Sequence, residues 1–427
     1  MPKIRIVEKD FTGKVQSSAI SNVVYVPVKA NSSINLNNDL LRDAGVGQTE
    51  VVKAFKTITL YRSANDFKAD ASAYQMVESG VEGATGSVKT TVLDPKSLDY
   101  KLCVHLLNIG FEVLVEVLDN TSKSIPSWSL LEDKNLYDVR FLTLGNMTDL
   151  YATQSDTMVS TAAKRGDCLA LVNANESASD FSYTVANVRS AFNGTNGEYA
   201  AAFTPWFKTN NGDFQDPGAS EKLEYAVPAA FGYLFAYANA TKNCPEWYAI
   251  AGFERGIIPE LTDVCHVYTT AEVEILQARA ATEEVELDDP TDNVGYAINP
   301  ICYVRPAGYI IYGNRTLKSN DASKKLTAQS FLNVRNGLSA IKKVMYEASK
   351  KYTFEQNTET LWINFQSYVT PLLDRMQTGN GILGYQFIRQ KTDAKARLKA
   401  RLNLVPIEAV EDFDLEVYLT DDLTVSE

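Results

Sequence analysis

The sequence predicts a mixed α/β (α+β) fold of several domains, with a central βαβ-type sheet region and a C-terminal α+β domain. Three observations predict it. Apolar runs such as residues 168–174 have the length of buried strands and alternate with helix-like stretches such as residues 150–164. Two amphipathic helical stripes follow one another closer to the C-terminus. Short segments of alternating apolar and polar residues lie at both ends and are predicted to be extended arms.

Length and charge limit the possible functions. A chain of 427 residues has room for about two to four structural units and a sizeable core. The formal net charge of -12 is unfavourable for nucleic acid or an anionic membrane, because both are negatively charged. The sequence has no apolar run long enough to cross a bilayer and no secretory signal, so we expect folding in a cytoplasm. We expect neither nucleic acid nor a membrane as a direct partner.

The first part of the chain is predicted to be rich in strands. Its N-terminal arm, residues 1–22, starts with Ile4 and Ile6 on one side of a short strand and basic residues on the other. Further strands are expected at residues 23–28, 58–61, 111–118 and 139–144. They are divided between an N-terminal core part, residues 23–120, and a central domain, residues 121–325.

The central domain continues with alternating strands and helices. Residues 168–174 and 200–207 are predicted to be strands, and residues 227–241 a helix with Pro228 in its first turn. Proline is tolerated there because the first N–H groups of a helix have no partner within it. A polar stretch, residues 320–325, is the expected linker to the C-terminal domain.

The C-terminal domain, residues 326–412, is predicted to contain two amphipathic helices and two strands, and residues 413–427 a C-terminal arm. The first helical stripe is Phe331, Val334, Leu338, Ile341, Met345 and Ala348, and the second is Leu361, Phe365, Tyr368, Leu372 and Met376. Asn357 or Thr358 is the expected N-cap of the second helix, and Pro371 is expected to kink it. The strands are residues 385–389 and 398–405.

Gly379, Gly381 and Gly384 spell the GxGxxG string of dinucleotide-binding loops. In such loops a strand precedes the glycines and a helix follows, so that the helix N-terminus faces the pyrophosphate. Here the predicted order is reversed, and no acidic residue stands about twenty positions further on, where one would bind ribose. The favoured interpretation is the end of a helix and a turn, and no cofactor is predicted.

Residue types for metal binding and catalysis are scarce. Cys103 and His105 would share one face if their segment is a strand, and Cys265 precedes His266, which together would supply a mixed zinc site. Structural zinc spacings are absent, so reduced core thiols and partly buried imidazoles are favoured, and no metal is predicted. Only these two histidines could act as general bases, and no enzymatic activity is expected.

Charge is unevenly distributed near the C-terminus. Residues 389–401 hold six basic residues and one acidic residue, and form either a solvated strand–loop–strand or a contact with an acidic protein partner. Residues 408–427 hold eight acidic residues and no basic one, whereas the N-terminal arm is net basic in its first part. The two arms could pair within one monomer, or they could add strands to the sheets of neighbouring subunits.

Several stretches, in their order along the chain, resemble contractile tail sheath proteins, the subunits of the outer sleeve of myophage tails and related injection machines. In residues 299–362, a glycine-aromatic strand ends in GNRTL and leads to a helix containing NVR. KRGDCLALVNA at residues 164–174 is similar to the family's arginine-aspartate strand, and residues 200–207 and 227–241 also resemble family segments. The family usually has an aspartate where Ala240 and Thr241 stand in this chain.

The resemblance implies a multidomain sheath subunit whose central domain is subtilisin-like but non-catalytic. It implies stacked hexameric rings around a tail tube, which contract and drive the tube through the envelope of a target cell. The partners would be neighbouring sheath subunits, the tail tube protein, and the baseplate and tail terminator proteins. The protein would be assembled in the host cytoplasm and reside in the virion tail.

The resemblance also implies which residues join subunits. The arms would exchange strands through Ile4, Arg5, Ile6 and Val7 at one end and Phe413, Leu415, Val417 and Leu419 at the other. One of two basic faces would contact the tube through screened charge pairs: the first C-terminal helix, with Lys342, Lys343, Lys350 and Lys351, or the run of residues 389–401, with Arg397 and Lys399. The alternative function is a cytoplasmic α/β hydrolase or nucleotide-binding enzyme, which the scarce histidines and the reversed glycine order disfavour.

Overall fold

The computed structural model describes residues 23–29, 58–73, 97–118, 128, 131–145, 151–174, 196–209, 225–277, 297–320, 327–391 and 396–409. Both predicted arms lie outside the described residues, and so do the predicted strand-exchange residues Ile4, Arg5, Ile6, Val7, Phe413, Leu415, Val417 and Leu419. Most of the predicted linker at residues 320–325 also lies outside them.

An eight-stranded sheet forms the centre of the molecule. The strands in chain order are β1 (Val23–Lys29), β2 (Ile58–Tyr61), β3 (Glu112–Leu118), β4 (Phe141–Thr143), β5 (Leu169–Asn173), β6 (Ala200–Thr204), β7 (Phe207–Thr209), β8 (Tyr225–Val227), β9 (Leu261–Val264), β10 (Ile298–Val304), β11 (Gly308–Ile311), β12 (Ile382–Gln390) and β13 (Lys399–Pro406). The central sheet has the order β11-β10-β6-β5-β4-β1-β3-β2. Pairs from β10 to β3 are parallel, and antiparallel β11 and β2 form the edges. The predicted α/β fold class is confirmed.

Helices cover both faces of this sheet. They are α1 (Ala64–Ala73), α2 (Leu98–Asn108), α3 (Tyr151–Arg165), α4 (Ala229–Ala240), α5 (Gly252–Arg255), α6 (Thr270–Gln277), α7 (Leu332–Lys351) and α8 (Glu359–Thr378). Along the fully buried β5, Leu169 and Leu171 belong to the core with α2 and α4, whereas Ala170 and Val172 belong to the core with α3. Burial on both faces is why this strand is an uninterrupted apolar run. In the part of the chain that the structure describes, no helix has both the length and the hydropathy of a membrane span.

The central sheet includes strands from both sides of residue 120. β1, β2 and β3 belong to the predicted N-terminal core part, and they pair into the same sheet as β4, β5 and β6. The predicted division at residue 120 therefore separates two parts of one sheet.

Residues 200–207 form two strands, so the prediction of a single strand was wrong. β6 ends at Thr204, and the next residue, Pro205, has no N–H to donate to a strand ladder. Phe207 begins β7, which pairs with β8 and β9 in a separate antiparallel sheet. The proline thus marks the point where the chain passes from one sheet to another.

The C-terminal domain has the predicted two helices and two strands. α7 and α8 pack on the antiparallel hairpin β12–β13 around a cluster that includes Trp362, Phe365 and Leu402. Thr358 is the N-cap of α8, and its hydroxyl accepts a hydrogen bond from the N–H of Leu361 at 3.2 Å. This hydrogen bond satisfies one of the N–H groups that the first helical turn leaves without a partner.

Asn299 in β10 fastens the strand that leads to the C-terminal domain. Its Nδ2 group donates to the carbonyls of Ala202 at 3.0 Å and Arg315 at 2.9 Å, and its Oδ1 accepts from the N–H of Arg315 at 2.8 Å. The side chain is fully buried. A Cβ atom at Gly313 would lie 2.8 Å from Oδ1 of Asn299, so only glycine allows this close approach. The amide thus joins β6, β10 and residues 313–315.

Replacing Asn299 with aspartate is expected to lower the free energy of unfolding by about 3–5 kcal/mol, because a buried carboxylate would face two carbonyl oxygens. Urea denaturation measures the loss. The control is Asn403→Asp, since Asn403 lies on the hairpin surface and bonds Gln386 and Arg401; we expect a change within about 0.5 kcal/mol. Equal losses in the two variants would contradict the role given to Asn299.

Candidate functional site

The junction between the central sheet and α7 is built from the GNRTL and NVR segments. Nδ2 of Asn314 donates to Oδ1 of Asn333 at 2.8 Å, and the N–H of Asn333 donates to Oδ1 of Asn314 at 3.1 Å. Nδ2 of Asn333 also donates to the carbonyls of Trp247 at 3.3 Å and Ile407 at 3.4 Å. The first turn of α7 is therefore tied to three other parts of the chain.

The arginines of these two segments are buried against aromatic rings. The guanidinium of Arg315 lies 4.8 Å from the ring centre of Phe331, and that of Arg335 lies 4.0 Å from the ring centre of Tyr199. A guanidinium is weakly hydrated and stacks on ring faces, so it tolerates such burial better than an ammonium group. Both motif arginines thus hold the junction together.

Lys342 and Lys343, two of the predicted tube-contact residues, are buried and expose only 4% and 3% of their surface. Nζ of Lys342 lies 5.2 Å from the ring centre of Tyr199, and Lys343 forms an ion pair with Asp138. Burial lowers the pKa of Lys343, and the carboxylates of Asp167 and Asp138 oppose this shift. Charges held in these internal contacts do not face a tube, so the expectation for both lysines is corrected.

Arg165 and Asp167 of the KRGDCLALVNA segment form a buried two-point ion pair. Nε of Arg165 donates to Oδ1 of Asp167 at 3.0 Å, and one terminal nitrogen donates to Oδ2 at 3.2 Å. The guanidinium also donates to the carbonyls of Leu131 and, at 3.1 Å, Tyr137. Gly166, at a φ of 71°, allows the turn that brings the two charges together. The motif therefore pins α3 to residues 131–137.

A second buried ion pair joins Arg140, just before β4, to Glu246. The hydroxyl of Tyr237 donates to Oε2 of Glu246 at 3.3 Å, and the Arg140 guanidinium lies 5.4 Å from the Tyr237 ring centre. Nδ2 of Asn336 in α7 donates to the hydroxyl of Tyr233 at 2.7 Å. Burial raises the pKa of the Tyr233 hydroxyl. Polar contacts therefore join Glu246 to the edge of β4 and α7 to α4.

The GxGxxG string forms the end of α8 and a turn, as predicted. Gly379 is the C-cap, and Asn380 has the left-handed φ of 54°. The N–H of Gly381 donates to the carbonyl of Met376 at 2.7 Å, and the N–H of Asn380 donates to that of Gln377 at 3.3 Å. This is the Schellman arrangement of a helix C-terminus. The negative end of the helix dipole faces the glycines, which is unfavourable for a phosphate.

Cys103 and His105 lie on α2, so the condition on which they would have shared one face, a strand at this segment, is not met. Residues two apart on a helix point in nearly opposite directions. Burial raises the pKa of the Cys103 thiol, and the His105 ring lies 4.5 Å from that of Phe235. In the other pair, the His266 ring lies 4.8 Å from that of Tyr268. Among the described residues, no three His, Cys, Asp or Glu side chains are grouped to hold a metal ion.

The described residues of the basic run, 389–391 and 396–401, lie on the surface of the hairpin. Arg389 is held by Glu359 at 2.5 Å and by Oδ1 of Asn357 at 2.9 Å. Arg397 and Lys399 are exposed at the far end of the hairpin from Gly384. Lys350 and Lys351 of the helix face are exposed as well, so both predicted tube-contact faces keep charges that a partner can reach.

Sequence reasoning missed the importance of Trp247, Arg140 and Glu246. One signal was available, since Arg140 stands inside the apolar run of residues 139–144, and a charge there needs a buried partner. No sequence pattern predicts that Trp247 lies against glycines more than 80 residues away along the chain.

No protein-family model matches the chain. The tail sheath protein of Vibrio phage KVP40 is 25% identical over 160 residues, a match that covers 38% of this chain and 20% of that protein. The chain thus spans about a fifth of the length of this curated relative.

Solved structures match nearly the whole chain. A chain of the anti-feeding prophage baseplate, solved by cryo-EM with 6-fold symmetry, has a TM-score of 0.61 at 16% identity and covers 98% of this chain and 99% of its own. A chain of the PVC sheath complex, an extracellular contractile injection system in the contracted state, has a TM-score of 0.57 at 16% identity and covers 99% and 98%. The predicted resemblance to contractile tail sheath proteins is confirmed, and the chain has the fold of these injection-system subunits.

Proposed function

We propose that this protein is the structural subunit of a contractile tail sheath. Its copies polymerise as stacked hexameric rings around a tail tube, and contraction of the sheath drives the tube through the envelope of a target cell. The whole-chain match to a subunit of a contractile sheath complex supports this proposal. The observation that carries it is the exposed hairpin β12–β13, which offers two strand edges for association.

The hairpin is suited to accept strands from other subunits. It is the whole of its sheet among the described residues, with β12 spanning 9 residues and β13 spanning 8. Leu383 and Val405 on its surface are 67% and 53% exposed. Long edges with exposed apolar side chains are sites where further strands add, and proteins without such a partner usually block them.

The proposed donors are the two arms of neighbouring subunits. Each arm alternates apolar and polar residues, as a strand with one buried face does. Main-chain hydrogen bonds contribute about 0.5–1.5 kcal/mol each, so a single added strand is weak. Repetition of the same contact through a lattice makes the connection effectively permanent. Contraction would then be driven by new contacts between subunits, without a nucleotide.

The proposed tube contact is the basic end of the hairpin, with Arg397 and Lys399 facing an acidic tube surface. Exposed charge pairs are individually weak and screened by salt, which allows them to break when the sheath contracts. The baseplate and the tail terminator would bind the end rings of the sheath. The protein would be assembled in the cytoplasm of the producing cell and would reside in the tail of a virion or a related injection particle.

Deleting residues 1–10 is expected to leave a folded, soluble monomer that cannot form a sheath, because the donor strand is lost. Electron microscopy of the assembly reaction measures sheath formation, and circular dichroism checks the fold. The double substitution Ile4→Asp and Ile6→Asp should act like the deletion, whereas Lys9→Ser with Lys14→Ser should assemble normally. Normal sleeves from the deletion variant would refute the role of the arm.

Reversing charge with Arg397→Glu and Lys399→Glu is expected to weaken binding of the sheath to its tube about tenfold at low salt, and less as salt increases. Co-sedimentation with tubes purified from the same particles measures the change. The control is Arg62→Glu with Lys68→Glu, which makes the same charge change at exposed residues of the N-terminal part. Unchanged binding, or an equal loss in both double variants, would exclude this face.

A further inference from the structure

Trp247 reaches from the central part of the chain into the core of the C-terminal domain. That core is a cluster of α7, α8 and hairpin side chains, and among its fully buried members within the described residues only Trp247 comes from before residue 327. The indole is 4% exposed, and its Nε1 donates to the carbonyl of Gly379 at 2.9 Å. The side chain therefore contributes to the packing of a domain to which its own backbone does not belong.

Glycines provide the space that the indole occupies. A Cβ atom on Gly381 would lie 2.5 Å from Cδ1 of Trp247, which is shorter than any tolerated contact. Cβ atoms on Gly379 and Gly337 would lie 3.1 and 3.2 Å from Trp247 atoms. In contrast, a Cβ atom on Gly384 would meet nothing within 4 Å. Two glycines of the GxGxxG string thus form a seat for an aromatic ring.

Glu246, the residue before Trp247, is held by the central part of the chain and not by the C-terminal domain. Glu246 forms the buried ion pair with Arg140 beside the central sheet, and it accepts the hydrogen bond from Tyr237 of α4. Removing either partner of a buried ion pair leaves an uncompensated charge, so this attachment is hard to break. Two consecutive side chains are therefore anchored in two different bodies of the protein.

Besides Leu332, which belongs to the core with α2 and α4, α7 makes a set of polar contacts with the central part. They include Asn336 with Tyr233 at 2.7 Å, Tyr346 with Asn135 at 3.0 Å, and the ion pair between Lys343 and Asp138. Such contacts fix orientation but gain little net free energy, because they replace contacts with water. A large buried aromatic side chain is the group that usually dominates the stability of an interface of this kind.

We propose that Trp247 and its seat of Gly337, Gly379 and Gly381, named here the Trp247 joint, hold the C-terminal domain rigidly on the central sheet. Trp247 is a positioning residue, and Glu246 fixes its backbone. The functional consequence rests on the proposed sheath function. Neighbouring subunits would pull on the hairpin during contraction. Because the Trp247 joint is rigid, the central sheet moves with the hairpin, and each subunit moves as one rigid body.

The test is Gly381→Ala in the full chain, because it displaces the indole without changing Trp247 or any residue of the sheet. Differential scanning calorimetry is expected to give one transition for the unaltered protein and two for the variant. Hydrogen exchange should become at least about tenfold faster in α8 and β12, with β5 and β6 unchanged. Trp247→Ala, which removes the indole instead of filling its space, should also give two transitions and faster exchange in α8 and β12.

Gly384→Ala is the matched control and should behave like the unaltered protein. The proposal is overturned if the unaltered chain already melts in two steps. It is also overturned if Gly381→Ala lowers the melting temperature while retaining one transition, since the turn would then be only part of a common core.

Particles carrying Gly381→Ala should form sheaths that fail to contract fully; full contraction would remove the mechanical role. Failure of the unaltered chain to form any sheath would refute the sheath function, and calorimetry would still decide the joint.

Discussion

Helix α7 imposes the main constraint on this molecule, because it is buried on two sides of opposite character. One side gives Ile341, Met345 and Ala348 to the core of the C-terminal domain. The other side buries cationic groups, Arg335 and Lys343 among them, against the central part of the chain. Buried charges are tolerated only when paired or stacked, so the positions of Tyr199, Asp138 and the asparagines of the junction follow from this helix.

This constraint suits the proposed sheath function, in which subunits are displaced together. A partly broken polar interface is costly, because each separated partner stays buried without its counterpart. The two bodies are therefore more stable fully docked than in intermediate arrangements. Movement would then occur between subunits, through the hairpin and the arms. The sites that the sequence offered for chemistry have structural uses: the glycines of the GxGxxG string seat Trp247, and His105 packs on Phe235.

Periodicity was sufficient to predict α7, α8 and most central strands, because their apolar residues repeat at the period of one buried face or form short buried runs. Periodicity failed where contacts between distant parts of the chain decide whether a side chain is buried. Lysines on a helix are usually solvated, and only the fold reveals that Asp138, 205 residues away, makes Lys343 a buried partner. Residues 103–105 belong to a helix that is buried almost all round, so it lacks the polar face by which an amphipathic helix is recognised. The Trp247 joint spans 132 residues between donor and acceptor, which no local pattern encodes.

The central claim is that copies of this chain join into a lattice through their ends and do mechanical work together. Negative-stain electron microscopy of the purified full-length protein tests it most directly. The account predicts hollow tubes or stacked six-fold rings whose length grows with protein concentration. A small discrete particle of fixed size at every concentration, as expected for a soluble enzyme, would contradict it.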